Sequence, residues 1–581
     1  MTSSRDQYPS RSSWIPQRIP ARGRGGMVGS KMPQAVDAGL AMLRKGGNAI
    51  DAAVATAFAV GVVEPPMNGL GGGGYLVAWL AKEKRSIVID FPMISAASAT
   101  PDMFPLAPAG KGDGFLFGWP STLEDANVIG YRSIAVPGTV AGLALTLERY
   151  GTLSLAEVIE PAIVLAEEGY PVTWQTTLYI AKDMENLRKF PATAATFLTP
   201  DGNPLKTSEQ LNPAYIRQPD LARTLRKISD EGARTFYEGE LARTIANHLN
   251  ENGSSVTASD FAAYQAQEIS GITVDYHGHQ IHTVGGGTGG TSMGEALTML
   301  NEVDSGQPGN RSAHELHTMT QIFRQAFADR FAYLADPDQI DIPQNALLDP
   351  AYARERLATF DPERATTPQP GDRERLGVNH QMPASVPDYV KSGSTTHLGA
   401  IDAEGNAVAL TQTLLALWGS RVTVPGTGVL MNNGMMWFDP EPGRPNSIGG
   451  SKKPLSNMAP TIITKDDEAL ASIGSSGGRR IQNCNAQIVM NMIDGGLSAQ
   501  EAINTPRIDT STTALAISTR IDPTVREELA AMGHKVSPRD ESLMTSDFAS
   551  PVAIGRNPNG ELDGGSDPWY YAATTAAVEG L

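Results

Sequence analysis

The sequence predicts an α/β sandwich, and three observations carry that prediction. Paired strand segments with short polar turns recur after residue 395: 397–402 with 407–414, 460–464 with 469–474, and a hairpin around Asn559-Gly560. Helical periodicity brackets them, at 479–494 and 523–532 in the same part and through most of 139–260 before it. Glycine-rich segments stand where strand and helix meet. Strands layered with helices at both ends of a segment suit such a sandwich.

In chain order, residues 31–60 read as a helix pair. Ala35, Leu40 and Leu43, then Ala49 through Val60, are apolar at helical spacing, broken by Gly46-Gly47. The run Gly69-Leu70-Gly71-Gly72-Gly73-Gly74 follows, then strands at 75–79 and 86–90 around the charged turn Lys82-Glu83-Lys84-Arg85. A short strand at 279–284 leads into Gly285-Gly286-Gly287-Thr288-Gly289-Gly290 and a helix through Leu300, and another helix covers 314–334. Residues 360–393, rich in Pro, Arg and Asp without periodicity, read as loop. No tandem repeat is present.

Composition narrows the function. The 581 residues are 41% hydrophobic and 19% charged, with a net charge of -17 that disfavours a nucleic-acid partner. The single Cys484 rules out an intrachain disulfide and a thiolate metal cage. No segment reaches the roughly 18 unbroken apolar residues of a membrane span. Residues 1–25 carry Arg5, Arg11, Arg18, Arg22 and Arg24 without the apolar core of a secretory signal, so a disordered basic arm and a cytoplasmic location are expected.

The chemistry concentrates around Ser392-Gly393-Ser394-Thr395-Thr396-His397, directly before a hairpin turned at Glu404-Gly405-Asn406. A threonine hydroxyl is a poor nucleophile unless a base lies within hydrogen-bond reach. Cutting the chain before Thr395 would supply one, since a freed α-amino group has a pKa of about 7.7–8.0. Gly474-Ser475-Ser476-Gly477-Gly478 ends a strand and opens a helix at Arg479, which suits either an oxyanion-binding turn or a plain tight turn.

Other motifs are weaker. Gly69-x-Gly71-x-x-Gly74 matches a dinucleotide fingerprint but lies between a helix and a strand, the reverse of what that motif needs; close backbone packing is the better reading. His277-x-His279-x-x-His282 places two histidines on one strand face and the third on the other, so a metal site is not expected. His314 and His317 share a helix face without a third ligand, and no Gly-x-Ser-x-Gly elbow occurs. His397, in phase with Thr395, either tunes the site or serves structure.

In combination these stretches resemble the γ-glutamyltranspeptidase family of N-terminal-nucleophile hydrolases. The resemblance starts at Gly26-Met27-Val28, Gly46 through Ala53 and the 69–74 glycine loop. It continues through Ala135-Val136-Pro137-Gly138 and Ala328-Asp329-Arg330, then Thr395-Thr396-His397 and Met431-Asn432-Asn433. It closes with Pro454-Leu455-Ser456-Asn457-Met458-Ala459-Pro460, the 474–480 turn and Gly565-Ser566-Asp567-Pro568. It implies a four-layer αββα sandwich, autoprocessed between Ser394 and Thr395 into a large subunit (26–394) and a small one (395–581). The two would stay together as one intertwined heterodimeric domain. Thr395 would be the nucleophile, Thr413 the hydroxyl that steadies it, and Gly477 and Gly478 the oxyanion hole. No metal or organic cofactor is implied, and the partner is a small-molecule amide.

The departures from the family lie in the acyl pocket. Where members carry an arginine for the γ-glutamyl α-carboxylate, this chain reads Asp90-Phe91-Pro92-Met93. The position of the aspartate that takes the α-amino group is Trp437; a carboxylate-binding asparagine becomes Leu415; the second serine of a Ser-Ser pair beginning at Ser456 is Asn457. Charge-assisted hydrogen bonds of about 1.5–3 kcal/mol each are thereby lost. A pocket of Pro92, Met93, Met436 and Trp437 with a non-glutamyl preference is expected. Arg479 stands where the family has a small polar residue, and is read either as a substitute carboxylate ligand or as a surface arginine at a helix start. An ordinary γ-glutamyl hydrolase or transferase and a catalytically weak binding protein remain as alternatives.

Overall fold

Period-two alternation decides the architecture. In the strand Gly73–Leu80, Leu76 and Ala78 enter one hydrophobic core while Tyr75, Val77 and Trp79 enter another, so this strand is covered on both faces. The computed structural model describes residues 18–108, 119–207, 213–379, 394–543 and 547–579.

Two seven-stranded antiparallel sheets pack face to face. The first runs Thr574–Ala577, Gly26–Ser30, Ser394–Asp402, Ala407–Leu415, Gly73–Leu80, Arg85–Phe91, Gln267–Ile269. The second runs Ala21–Gly23, Leu562–Ser566, Ser550–Arg556, Glu468–Ser476, Thr461–Lys465, His279–Thr283, Ile272–Tyr276. Met27, Val77 and Ile401 of one sheet meet Ile462, Ala469 and Ile554 of the other in the central core. The outer face of the first sheet is covered by Pro33–Arg44, Ala49–Val63, Thr139–Tyr150 and Leu155–Glu168. The outer face of the second packs on Gly289–Leu300, Ala313–Tyr333 and Ile481–Ile493. The result is helix, sheet, sheet, helix: an αββα sandwich.

The covering helices follow from local sequence. Ala49–Val63 starts at a capping box between Asn48 and Asp51, and Ala313–Tyr333 at one between Ser312 and Glu315. Among the described residues no helix is long and apolar enough to cross a membrane.

Several elements differ from expectation. The basic stretch is not all arm: Ala21–Gly23 is an edge strand, pairing Ala21 with Gly564, and Arg18 donates to the carbonyls of Tyr570 and Tyr571 at 2.7 Å. Residues 1–17 lie outside the described residues, as do 380–393 of the expected loop. Gly26–Ser30, Gln267–Ile269, Ile272–Tyr276 and Thr574–Ala577 are strands without a predicted counterpart. They are short, and all but Ile272–Tyr276, which forms a hairpin with His279–Thr283, are held by partners distant in sequence, such as Gly29 with Gly399 and Met27 with Ala577. Glu468–Ser476 is longer than predicted and runs past Gly474.

Candidate active site

Thr395 lies one residue into Ser394–Asp402, on a strand whose two neighbours hold it in register. Ser394 pairs with Leu415 and Thr396 with Gln412, so the ladder slips at Thr395. Across the slip Leu415 takes a φ of +91°, an uncommon backbone state for a side-chain-bearing residue. The Ser394–Thr395 peptide is intact. Thr395 Oγ1 donates to the Ser394 carbonyl oxygen at 2.7 Å, and Thr413 Oγ1 donates to the same oxygen at 2.5 Å. The Thr413 hydroxyl accepts the Leu415 N–H at 2.8 Å and lies 3.5 Å from Thr395 Oγ1. Two hydroxyls thus converge on one carbonyl, polarising it where an attack by Thr395 would place negative charge.

The strand Glu468–Ser476 of the facing sheet packs on Ser394–Asp402 and leads into the glycine turn. A Cβ on Gly399 would lie 2.7 Å from Ser472 Oγ, and one on Gly474 2.2 Å from the His397 ring. Gly477 and Gly478 have φ of +150° and +62°, backbone that favours glycine. Gly478–Arg480 then feeds the helix Ile481–Ile493. From below, Gly72 presses on the Thr413 carbonyl, where a Cβ would approach to 2.3 Å. The 69–74 loop therefore serves close backbone packing. Asn432 pins it, donating to the Gly71 carbonyl at 2.7 Å and to Ala135 O at 2.9 Å.

A buried ionisable network beside Thr395 and Thr396 was not anticipated. Thr396 Oγ1 donates to Glu64 at 2.5 Å, the Tyr570 hydroxyl donates to its other oxygen, and Asn68 approaches at 3.3 Å. Lys31 donates to the Ser550 carbonyl at 2.5 Å and to its hydroxyl, 4.9 Å from the centre of the Tyr570 ring. Burial pushes Glu64 up to about 7, against its hydrogen bonds from Thr396 and Tyr570, and pulls Lys31 down to about 8. Burial and the nearby Lys31 hold His397 down at about 3, and its Nδ1 is 2.9 Å from Thr411 Oγ1. A signal did exist for one of them: Glu64 is a lone charge closing the apolar stretch that ends at Val63.

The residues expected around the acyl group are brought together only in part. Met93, Met436, Trp437 and Leu415 share the central core and are all buried. The Pro92 carbonyl accepts the Tyr264 hydroxyl at 2.7 Å. Ser456 and Asn457 belong to a different arrangement, in which Arg330 donates to Ser456 O and, at 3.2 Å, to Asn457 Oδ1. Arg479 is not a surface residue. It is 0% exposed, with its guanidinium 4.5 Å from the Phe331 ring centre and 5.4 Å from that of Phe327. Its burial by these rings overturns the reading as a solvated helix-start arginine.

The histidines elsewhere are dispersed. His282 lies 2.8 Å from Thr464 Oγ1 and 3.1 Å from Thr273 Oγ1, His277 is 2.8 Å from Asp494, and His317 is 2.7 Å from His534. A cavity of about 600 Å³ lined by Tyr75, Asp90, Asp336 and Lys453 adjoins Pro454, but Thr395 does not line it. There Lys453 pairs with Asp90 at 2.6 Å and Asp338 at 2.9 Å.

Comparison with known proteins fits this geometry. The family model described as Gamma-glutamyltranspeptidase matches residues 35–577. The glutathione hydrolase proenzyme of Escherichia coli is 34% identical over 94% of this chain and 91% of its own. The acylase ACY 1 proenzyme of a Pseudomonas species is 36% identical over 97% and 95%. The crystal structure of cephalosporin acylase from Bacillus halodurans superposes with a TM-score of 0.84 at 27% identity, covering 99% of both chains.

Proposed function

This chain belongs to the gamma-glutamyltranspeptidase family, and we propose that it is a self-cleaving amidohydrolase working through a threonyl acyl-enzyme with a non-glutamyl acyl preference. The observation that carries the reading is the pair of hydroxyls, Thr395 at 2.7 Å and Thr413 at 2.5 Å, on the Ser394 carbonyl. In maturation Thr395 Oγ attacks the Ser394 carbonyl carbon and the peptide C–N bond breaks. The released nitrogen takes up the proton, leaving an ester. Water hydrolyses that ester to a Ser394 carboxylate and a free Thr395, with residues 26–394 and 395–581 as the two subunits.

In turnover the Thr395 amine accepts the hydroxyl proton while Oγ attacks the substrate amide. The N–H groups of Gly477 and Gly478 hold the oxyanion, the amine leaves protonated, and water releases the acid. No step requires a metal or an organic cofactor.

The buried apolar side chains of Met93, Leu415, Met436 and Trp437 support a non-glutamyl preference, since they offer an α-carboxylate or α-amino group no partner. Ordinary γ-glutamyl hydrolysis or transfer is the competing reading, favoured by the identity to the glutathione hydrolase proenzyme. Intact mass of purified protein should give two species meeting at 394/395, and Thr395→Ala a single inactive chain. A cut Thr395→Ala protein would sink the mechanism. Side-by-side assay of γ-glutamyl and simple acyl p-nitroanilides decides the acyl group; γ-glutamyl turnover at micromolar substrate would reverse the specificity.

A further inference from the structure

Lys31 is a fully buried lysine whose ammonium is held by neutral groups: among the described residues its hydrogen bonds go to the carbonyl and the hydroxyl of Ser550. Enclosing an ammonium without a carboxylate bonded to it is costly, and a neutral side chain of similar length would avoid that cost. Burial pulls Lys31 down to about 8, while the charges of Asp567 and Glu64 favour its protonated form, so it is mostly charged at neutral pH. Packing alone does not call for such a residue.

Its position does. Lys31 follows the strand Gly26–Ser30 of the first sheet, and Ser550 opens the strand Ser550–Arg556 of the second, so one ammonium ties the two sheets together. Ser550 pairs with Ser476, the last residue of Glu468–Ser476, and Ser476 Oγ lies 3.5 Å from the same Ser550 carbonyl. The glycine turn begins at the next residue. Ala549, immediately before Ser550, has a φ of +61°, an uncommon state for a residue with a side chain. It presses on Gly477, where a Cβ would lie 2.8 Å from both the Cα and the Cβ of Ala549. Donors on the Ser550 carbonyl and hydroxyl hold this strained corner, and the corner limits where the Gly477 peptide can stand.

On its other side the ammonium lies 4.9 Å from the centre of the Tyr570 ring. The Tyr570 hydroxyl donates to one oxygen of Glu64, and the other oxygen accepts Thr396 Oγ1 at 2.5 Å. Lys31 thus joins two lines of contact. One runs through Tyr570, Glu64 and Thr396 to the neighbour of Thr395; the other runs through Ser550 and Ala549 to Gly477. We propose that Lys31 is a positioning residue that fixes the Gly477–Gly478 turn relative to the strand carrying Thr395, so that the N–H groups of the turn are aligned on the oxyanion. This rests on the acyl-enzyme reading above and adds the residue that sets the turn.

The test assays matured wild type, Lys31→Met and Lys31→Gln with the p-nitroanilide that wild type hydrolyses best. Methionine keeps an unbranched chain and loses the ammonium; glutamine keeps a donor for Ser550. The turn acts on charge that develops in the transition state, so Lys31→Met is expected to lower kcat about 10–100-fold with KM within about twofold. Lys31→Gln should recover part of that loss. A lower melting temperature with wild-type kcat would make Lys31 a structural residue and overturn the proposal, as would a raised KM with kcat unchanged. Should neither Lys31 variant mature, Ser550→Ala, which removes the hydroxyl that Lys31 bonds, decides in their place: a fall in kcat alone supports the proposal and an unchanged kcat rejects it. A matured wild type that hydrolyses no amide removes the amidohydrolase reading alone. Hydrogen exchange then decides the positioning role: faster exchange across 474–480 in Lys31→Met, with the helix Gly239–Glu251 unchanged, supports it, and equal exchange in the turn overturns it.

Discussion

At Thr395 its hydroxyl, the carbonyl of the Ser394–Thr395 peptide proposed to be cut and the Thr413 hydroxyl lie within one hydrogen-bond cluster. Thr413→Ala removes a donor to the developing oxyanion and should slow maturation by roughly 10²-fold, whereas Thr413→Ser should keep most of the rate. Gels following the loss of full-length chain would read this out; equal rates for both variants would deny Thr413 its role. Glu64 gives a pH prediction with a definite sign. Its folded value of about 7 lies above the 4.5 of an ordinary glutamate because of burial, so the native state keeps a proton that the unfolded chain releases. Stability is therefore lost as pH rises from about 4.5 to about 7, by an amount on the order of 3 kcal/mol. Glu64→Gln should flatten that part of the profile. Melting curves at pH 5 and pH 8 for the two proteins test it, and identical slopes would show that Glu64 does not titrate there.

Among the elements, the facing strands Ser394–Asp402 and Glu468–Ser476 carry the site, and Gly474 is the contact that lets them close over His397. Gly474→Ala forces a methyl group into the imidazole and should cost about 1–3 kcal/mol or more through overpacking. Urea denaturation of the variant is the measurement; unchanged stability would mean that the sheets part easily there. Much at this scale was legible in advance. The helix pair, the hairpin after Thr395 and the glycine turn before Arg479 each carry a local periodicity or turn signal. The illegible pieces are short strands such as Gly26–Ser30 and Thr574–Ala577, whose pairing depends on segments far along the chain. The environment of Arg479 was equally hidden, because Phe327 and Phe331 come from a helix well over a hundred residues earlier.

For the whole molecule, cutting at Thr395 would divide the first sheet between two polypeptides without removing a single ladder. Ser394–Asp402 and Ala407–Leu415 would remain flanked by Gly26–Ser30 and Gly73–Leu80. The cut protein should therefore elute from gel filtration near the 61.7 kDa of the intact chain and separate only in denaturant. Spontaneous separation of the fragments in native buffer would contradict so extensive a shared core.

From sequence alone came the α/β sandwich and the glycine turn before Arg479, which are properties of local pattern, and, through resemblance to the family, the αββα layering and the departures at Pro92 and Trp437. Only the tertiary structure decided that two hydroxyls meet on the Ser394 carbonyl, that Lys31 and Glu64 stand buried beside Thr396, and that Arg479 is enclosed and unpaired. Burial and hydrogen-bond satisfaction depend on which distant segments pack together, and no window of sequence contains both sides of such a contact.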